Sequence, residues 1–336
     1  MPLRFAFAGF RHPHIQELYK LVQEHPGTEL AAACEEDAAA RADLAKAGKI
    51  RITHESIAKM LDQAPCDVVA IGDYFARRGS LALEALRRGK HVLADKPLCT
   101  NLGELEAIER LAAERQRSAG CMLGMRFSGK FLRLKELVES GKLGTVHQIA
   151  IGGQHPLSYG TRAGWYWEPG KHGGTIIDIG IHAFSLLEWL TGKAVRKIVA
   201  ARTWNAFATE VPHFMDSAQF MLELEGGCGV LGDVSYAMPA GLGYQMPQYW
   251  RTTLYGTGGV AETSATLEHV TFSGAGDKEI SRLAPLPDAR GGYLASFLNE
   301  IAGQRDAVKL STAEVLACTR MALRVQQAAD AGARDP

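Results

Sequence analysis

The 336-residue chain has no surplus of charge of either sign: Lys plus Arg and Asp plus Glu number 37 each. Such a balance leaves no electrostatic footprint for nucleic acid or an anionic membrane surface, and neither is expected as a partner. Long apolar runs are missing too; none reaches the roughly 20 residues that a membrane-spanning helix needs. The opening MPLRFAFAGF is too short for the apolar core and cleavage site of a secretion signal. Cysteine is sparse and scattered, at Cys34, Cys66, Cys99, Cys121, Cys228 and Cys318, with no CxxC pair. That excludes a disulfide framework and a thiolate zinc site, and it fits reduced thiols in a cytoplasmic protein. What remains is a chain 46% hydrophobic and 22% charged, ordinary for a globular protein and long enough for two domains.

The first 125 residues alternate compact apolar strands with helical patterns. Strands are expected at Arg4 to Ala8, Glu29 to Cys34, Ile50 to Thr53, Asp67 to Ile71, His91 to Ala94 and Cys121 to Met125. Helices follow from Ile15, Ala38, Glu55, Ser80 and Leu102. This spacing implies βαβ units and a parallel sheet, a Rossmann-type domain.

Glycine is also missing where a dinucleotide loop ordinarily has it. The G-x-G-x-x-G fingerprint is here Gly9-Phe10-Arg11-His12-Pro13-His14, with Arg11 and His14 at the second and third glycine positions. The context is nevertheless that of a nucleotide loop, since a strand precedes it and a helix follows. Glu35 closes the second strand 26 residues after Gly9. A carboxylate there accepts hydrogen bonds from ribose hydroxyls and repels a 2′-phosphate, so NAD is expected over NADP; Glu35 would equally cap the next helix. Arg11 offers a guanidinium to the pyrophosphate. His12 and His14 show no acidic or cysteine partner nearby in sequence, and no metal site is expected.

The stretch GKHVLADKPLCT, residues 89–100, reads as a short strand followed by Asp95-Lys96-Pro97. Proline biases the preceding residue toward an extended conformation and so holds Lys96 at a strand end. Ligands of open α/β sheets bind outside those carboxyl ends.

In the second half, HGGTIIDIGIH leads into a buried helical segment ending at Gly192, with Asp178 and His182 four residues apart and on one face. An imidazole beside a carboxylate suits proton transfer near neutrality, and a hydrogen-bonded core pair would look the same in sequence. Successive strand-like stretches from Arg196 to Phe272, without intervening helices, predict a large open, mostly antiparallel sheet in an α+β domain spanning residues 126–336. An open sheet face calls for a partner, and a homodimer or homotetramer through it is expected.

These segments resemble the Gfo/Idh/MocA family of nicotinamide-dependent oxidoreductases. GKHVLADKP is similar to its GKHV-x-x-EKP signature, with Asp95 in place of glutamate, and GGTIIDIGIHAFSLLEWLTG to its GG-x-x-x-D-x-G-x-H helix. SGKLGTV, YGTGG and the terminal helix also fit, so the likeness covers nearly the whole chain. It implies that Lys96, Asp178 and His182 are catalytic: His182 takes the proton of a sugar or polyol hydroxyl, Lys96 polarises the reacting oxygen, and Asp178 binds and orients. It places Gly9, Phe10, Arg11, His12, His14, Glu35, Asp73, Tyr74, Arg78, Asp95, Lys96 and Pro97 around the cofactor. The family's ATPNxxH pattern is here replaced by residues 72–78, with Tyr74, Phe75 and Arg78 where other groups usually border the cofactor. Arg126, Tyr159, Arg162, Trp165, Tyr166 and His172 mix aromatic faces with hydrogen-bond donors, as a carbohydrate pocket requires. A redox-neutral lyase or glycosidase that retains NAD, and a regulatory protein without catalysis, are the alternatives.

Overall fold

The computed structural model describes residues 1–332. The described residues form two compact units: residues 1–122, 163–173 and 291–320 in the first, and 123–162, 174–290 and 321–332 in the second.

In the first unit, β1 (Leu3–Ala8), α1 (Ile15–Glu24), β2 (Thr28–Cys34), α2 (Ala38–Ala47), α3 (Ile57–Gln63), β3 (Val68–Ile71), α4 (Phe75–Arg87), β4 (His91–Ala94), α5 (Leu102–Arg115) and β5 (Ala119–Cys121) follow in order. The five strands pair in parallel in the order β2-β1-β3-β4-β5. All four residues of β3 are buried, as expected where helices cover both faces of a parallel sheet. Helices begin where side chains can satisfy their first amides: Asp37 accepts from Ala40 N–H, Ser56 from Lys59 N–H and Asn101 from Glu104 N–H.

Three details differ from the sequence reading. The last strand is Ala119–Cys121 rather than Cys121 to Met125, because residues 124–127 turn into a short 3-10 helix; the other two concern residues 50–53 and the start of α4. Residues 50–53 do not form a strand. Thr53 Oγ1 instead accepts from Ala33 N–H and donates to Ala33 O, so a hydroxyl replaces part of a ladder, and only a single bridge joins Cys34 and His54. Helix α4 starts at Phe75 rather than Ser80 and runs through Gly79. A Cβ on Gly79 would lie 2.1 Å from Glu104 Oε2, so the glycine permits close approach of α4 and α5.

The second unit contains α6 (Gly129–Glu139), β6 (Val146–Pro156), α7 (Ile181–Thr191), β7 (Val195–Trp204), β8 (Ser217–Leu224), β9 (Cys228–Met238), β10 (Thr252–Gly256), β11 (Gly259–Thr263), β12 (Val270–Gly274) and β13 (Ser281–Leu283). Eight strands form one sheet in the order β13-β12-β11-β10-β6-β9-β8-β7, antiparallel except for the β6–β9 pair. Along β8, Ala218, Phe220, Leu222 and Leu224 are buried while Gln219, Met221 and Glu223 are exposed, the period-2 pattern of a sheet with one covered face. The other face keeps apolar side chains in the open: Met221 and Leu231, paired across β8 and β9, are 43% and 48% exposed.

Two further helices close the chain, α8 (Gly292–Ile301) and α9 (Thr312–Gly332). Within the first unit, Phe297 of α8 occupies the space over Gly120 of β5, where a Cβ would come within 2.7 Å of its ring. All six cysteines are free and buried. Among the described residues, no helix is long and apolar enough to cross a membrane.

Candidate active site

The first unit gathers the expected cofactor residues at the carboxyl ends of its strands. Gly9, just after β1, has φ +82°, and a Cβ there would meet the Asp73 backbone at 2.9 Å. Only glycine tolerates both, so the one retained glycine of the loop has a steric reason to be there. Glu35 holds the loop in place: its Oε2 accepts from Phe10 N–H at 2.6 Å and its Oε1 from Asp37 N–H at 2.9 Å. Burial raises the Glu35 pKa, and these backbone donors oppose that rise. Neighbouring charges are already paired, with Arg11 to Asp37 at 3.2 Å and Arg77 to both Glu36 and Asp73. The tight glycine turn, the start of α1 directly behind it and the acidic end of β2 together fit a dinucleotide.

Lys96 and Asp95 follow β4, and Arg78 fixes this segment from within α4. The fully buried guanidinium donates to Asp73 O at 2.8 Å, to Lys96 O, and to Asp95 Oδ2 at 3.0 Å, and it lies over the Phe75 ring. The Lys96–Pro97 peptide is cis. Burial alone would raise the Asp95 carboxyl, but Arg78 and His12 outweigh it and hold Asp95 well below the usual carboxylate range. His12, without an acidic neighbour in its own segment, has one here: its Nδ1 lies 2.5 Å from Asp95 Oδ2. That is a correction to the reading of the His12–His14 pair, and its cause is a partner 83 residues away.

Residues 163–173 also belong to the first unit. Trp165 donates Nε1–H to Arg11 O at 3.0 Å, and Ala76 N–H donates to Lys171 O. The Phe75 ring is edge-on to Trp165 and Tyr166 and tilted against His172. Trp165, Tyr166 and His172, read from sequence as substrate contacts, are thus buried beside the nucleotide loop, and Tyr74 completes the cluster against Trp165.

The second unit holds Asp178 and His182. A π-helical turn, Ile176–Gly180, carries Asp178 into α7, which carries His182; such turns often mark functional sites. The Tyr236 hydroxyl donates to Asp178 Oδ2, and the Arg162 guanidinium lies 5.0 Å over the Tyr236 ring. Arg162 itself donates to Leu157 O and Pro156 O. The Trp250 ring stands edge-on to His182 at 4.9 Å, and His155 is ringed by Tyr236, Tyr244, Tyr249 and Trp250. Trp250 is buried with φ +55°, a strained conformation for a bulky residue and one that marks sites where packing overrides backbone preference. Burial pushes Tyr249 up to about 12, so its phenol stays protonated. Arg126 is buried and donates to Ser185 O of α7, while Tyr159 is 48% exposed. Tyr236, His155, Tyr249 and Trp250 escaped the sequence reading because only the strand and loop packing of β6, β9 and residues 239–250 brings them to Asp178 and His182.

Comparison with known proteins agrees with both halves. Residues 3–123 match the family described as oxidoreductases with an NAD-binding Rossmann fold, and residues 131–262 match the GFO/IDH/MocA C-terminal domain. Inositol 2-dehydrogenase 2 of Saccharopolyspora erythraea is 26% identical over 240 residues, covering 69% of this chain and 65% of that protein. The chain therefore spans about two thirds of that relative's length. A solved oxidoreductase from Erwinia carotovora atroseptica is 27% identical with a TM-score of 0.85, over 97% of this chain and 98% of its own. An inositol dehydrogenase homolog from Azotobacter vinelandii, complexed with NAD+, shares the fold at 16% identity and a TM-score of 0.81, over 99% of this chain and 96% of its own. The chain belongs to the GFO/IDH/MocA family of oxidoreductases.

Proposed function

We propose that this protein is an NAD-dependent dehydrogenase or reductase acting on a CH–OH carbon of a sugar, polyol or related cyclic alcohol. The observation that carries this reading is the Asp178–His182 pair, with Asp178 fixed by Tyr236 and His182 flanked by Trp250. Aromatic faces interspersed with hydroxyl and guanidinium donors suit a polyhydroxylated ring, whose C–H face stacks while its hydroxyls are hydrogen-bonded. The inositol dehydrogenase activity named for a relative points the same way.

In this reading bound NAD supplies the hydride acceptor. His182 accepts the hydroxyl proton of the substrate, and Asp178 holds a neighbouring hydroxyl and keeps the imidazole in register. The Lys96 ammonium stabilises the negative charge that develops on the reacting oxygen. Its backbone is held by Arg78, which fixes where the lysine stem begins. NAD is favoured over NADP by the carboxylates at the end of β2. Arg11 and Arg77 are committed to Asp37, Glu36 and Asp73, so a 2′-phosphate would have to break existing ion pairs. A second copy of the chain is the proposed cover for the exposed apolar face around Met221 and Leu231.

The test is NADH formation with a panel of inositols, aldoses and alditols, repeated with Lys96→Ala and His182→Ala. Both variants are expected to lose turnover by about three orders of magnitude while keeping the wild-type circular dichroism. Near-wild-type turnover in either variant would remove that residue from the mechanism. Conversion of substrate without net NADH would replace the dehydrogenase reading by redox-neutral chemistry.

A further inference from the structure

We propose that His12, His14 and Asp95 form a binding site for a divalent first-row transition metal ion. The three residues are among those the family resemblance sets around the cofactor, so the probe is the metal itself on cofactor-free protein, and its binding is read apart from dehydrogenase activity. One donor atom from each residue lies within 4.8 Å of the other two. His12 Nδ1 is 2.5 Å from Asp95 Oδ2, and His14 Nδ1 is 3.5 Å from Asp95 Oδ1. Two imidazoles and one carboxylate are a ligand set that first-row divalent ions use, with the remaining coordination positions left open.

A second observation points to a cation. Asp95 is fully buried, and its Oδ1 makes no well-formed hydrogen bond, facing only the His14 ring at 3.5 Å. A buried anionic oxygen held only by so long a contact is costly, and a metal ion shared with His14 is one of the few groups that removes the cost. The other oxygen is occupied: Arg78 Nη2 donates to Oδ2 at 3.0 Å and His12 Nδ1 shares it at 2.5 Å, a bond the ion must replace for His12 Nδ1 to ligate. A charged donor on the far oxygen is how outer-shell groups orient a carboxylate ligand, leaving one oxygen directed at the metal. The three ligands differ in exposure. His12 and Asp95 are buried, whereas the His14 side chain is 52% exposed. The buried pair anchors the ion, and the exposed ring admits it and leaves room for water or another oxygen ligand.

Charge decides which ion. Arg78 offsets the Asp95 charge and Lys96 follows directly in sequence, so the site offers almost no net negative potential to a cation. Hard ions such as Mg²⁺ and Ca²⁺, which depend on carboxylate charge and oxygen ligands, are disfavoured. Zn²⁺, Co²⁺ and Ni²⁺, which bind imidazole nitrogen well, are favoured.

The experiment is a calorimetric titration of chelator-treated full-length protein with Zn²⁺, with the visible absorption of the Co²⁺-loaded protein as an independent readout. One equivalent is expected to bind, and Mg²⁺ is expected to give no saturable heat. His14→Ala, at a ring 52% exposed, should weaken Zn²⁺ binding at least tenfold with the wild-type circular dichroism retained, and His12→Ala should weaken it further. Absence of saturable binding to the wild type overturns the site. Binding left unchanged by His14→Ala and His12→Ala overturns it as well, because the ion would then be held elsewhere on the chain.

Discussion

Tyr236 and Asp178, 58 residues apart in sequence, meet through a hydrogen bond in which the tyrosine hydroxyl donates to the buried carboxylate. The carboxylate is thereby held in one orientation, and the tyrosine sits under the Arg162 guanidinium. A hydrogen bond to a charged buried group contributes about 1.5–3 kcal/mol, so Tyr236→Phe is expected to lower turnover roughly tenfold to a hundredfold. Steady-state kinetics with the best substrate of the panel checks this. If kcat is unchanged and only KM rises, Tyr236 contributes uniform binding and does not position Asp178 for the reaction.

Glu35 joins the nucleotide loop to the end of β2 by accepting from both Phe10 and Asp37. Glu35→Ser leaves these two backbone amides without their acceptor, and a loss of about 1–3 kcal/mol in stability is expected from urea denaturation. The preference for NAD over NADP should narrow in the same variant, read as the ratio of dissociation constants by calorimetry. A stability loss with an unchanged ratio would show Glu35 to be a fastener of the loop and no more.

How much of this was readable in the chain depends on how local each feature is. The parallel sheet follows from strands and helices that repeat every few residues, and Lys96, Asp178 and His182 each sit in a continuous motif. The His12–Asp95 pair does not, since nothing in residues 9–14 announces a carboxylate from the far side of β4. Trp165, Tyr166 and His172 read as substrate contacts because aromatic faces and hydrogen-bond donors suit a carbohydrate ring; that they also pack on Phe75 and Arg11, beside the nucleotide loop, is a long-range relationship their own segment does not announce. The aromatic ring around His155 needs three separate segments and could not be seen from any one of them. The start of α4 at Phe75 is hidden as well, because Gly79 serves the close packing of α4 on α5, a contact no local pattern shows.

Leu231 and Met221 form an exposed cross-strand apolar pair on the eight-stranded sheet. If a second copy covers this face, Leu231→Glu places a charge in the interface and should shift the protein to monomer, because burying an unpaired carboxylate costs several kcal/mol. Light scattering coupled to gel filtration reads the mass directly. A wild-type protein already monomeric at micromolar concentration, or an oligomer that persists in the variant, would assign another role to the face.

His91, at the start of β4, accepts a hydrogen bond from Ser118 N–H through Nδ1. Burial lowers its pKa from 6.5 to about 4, with Arg117 acting in the same direction. The unfolded chain therefore takes up a proton at this histidine near pH 6.5, whereas the folded protein resists protonation until about pH 4. By linkage the stabilisation is complete above pH 6.5 and declines as pH falls toward about 4, below which it is level. Its size is on the order of 1–3 kcal/mol after allowance for partial exposure. Thermal denaturation at about pH 7.5 and about pH 5 should show a smaller drop in His91→Asn than in the wild type, since asparagine can accept from Ser118 N–H without titrating. Equal drops in the two proteins would mean that the acid sensitivity of the first unit lies in other groups.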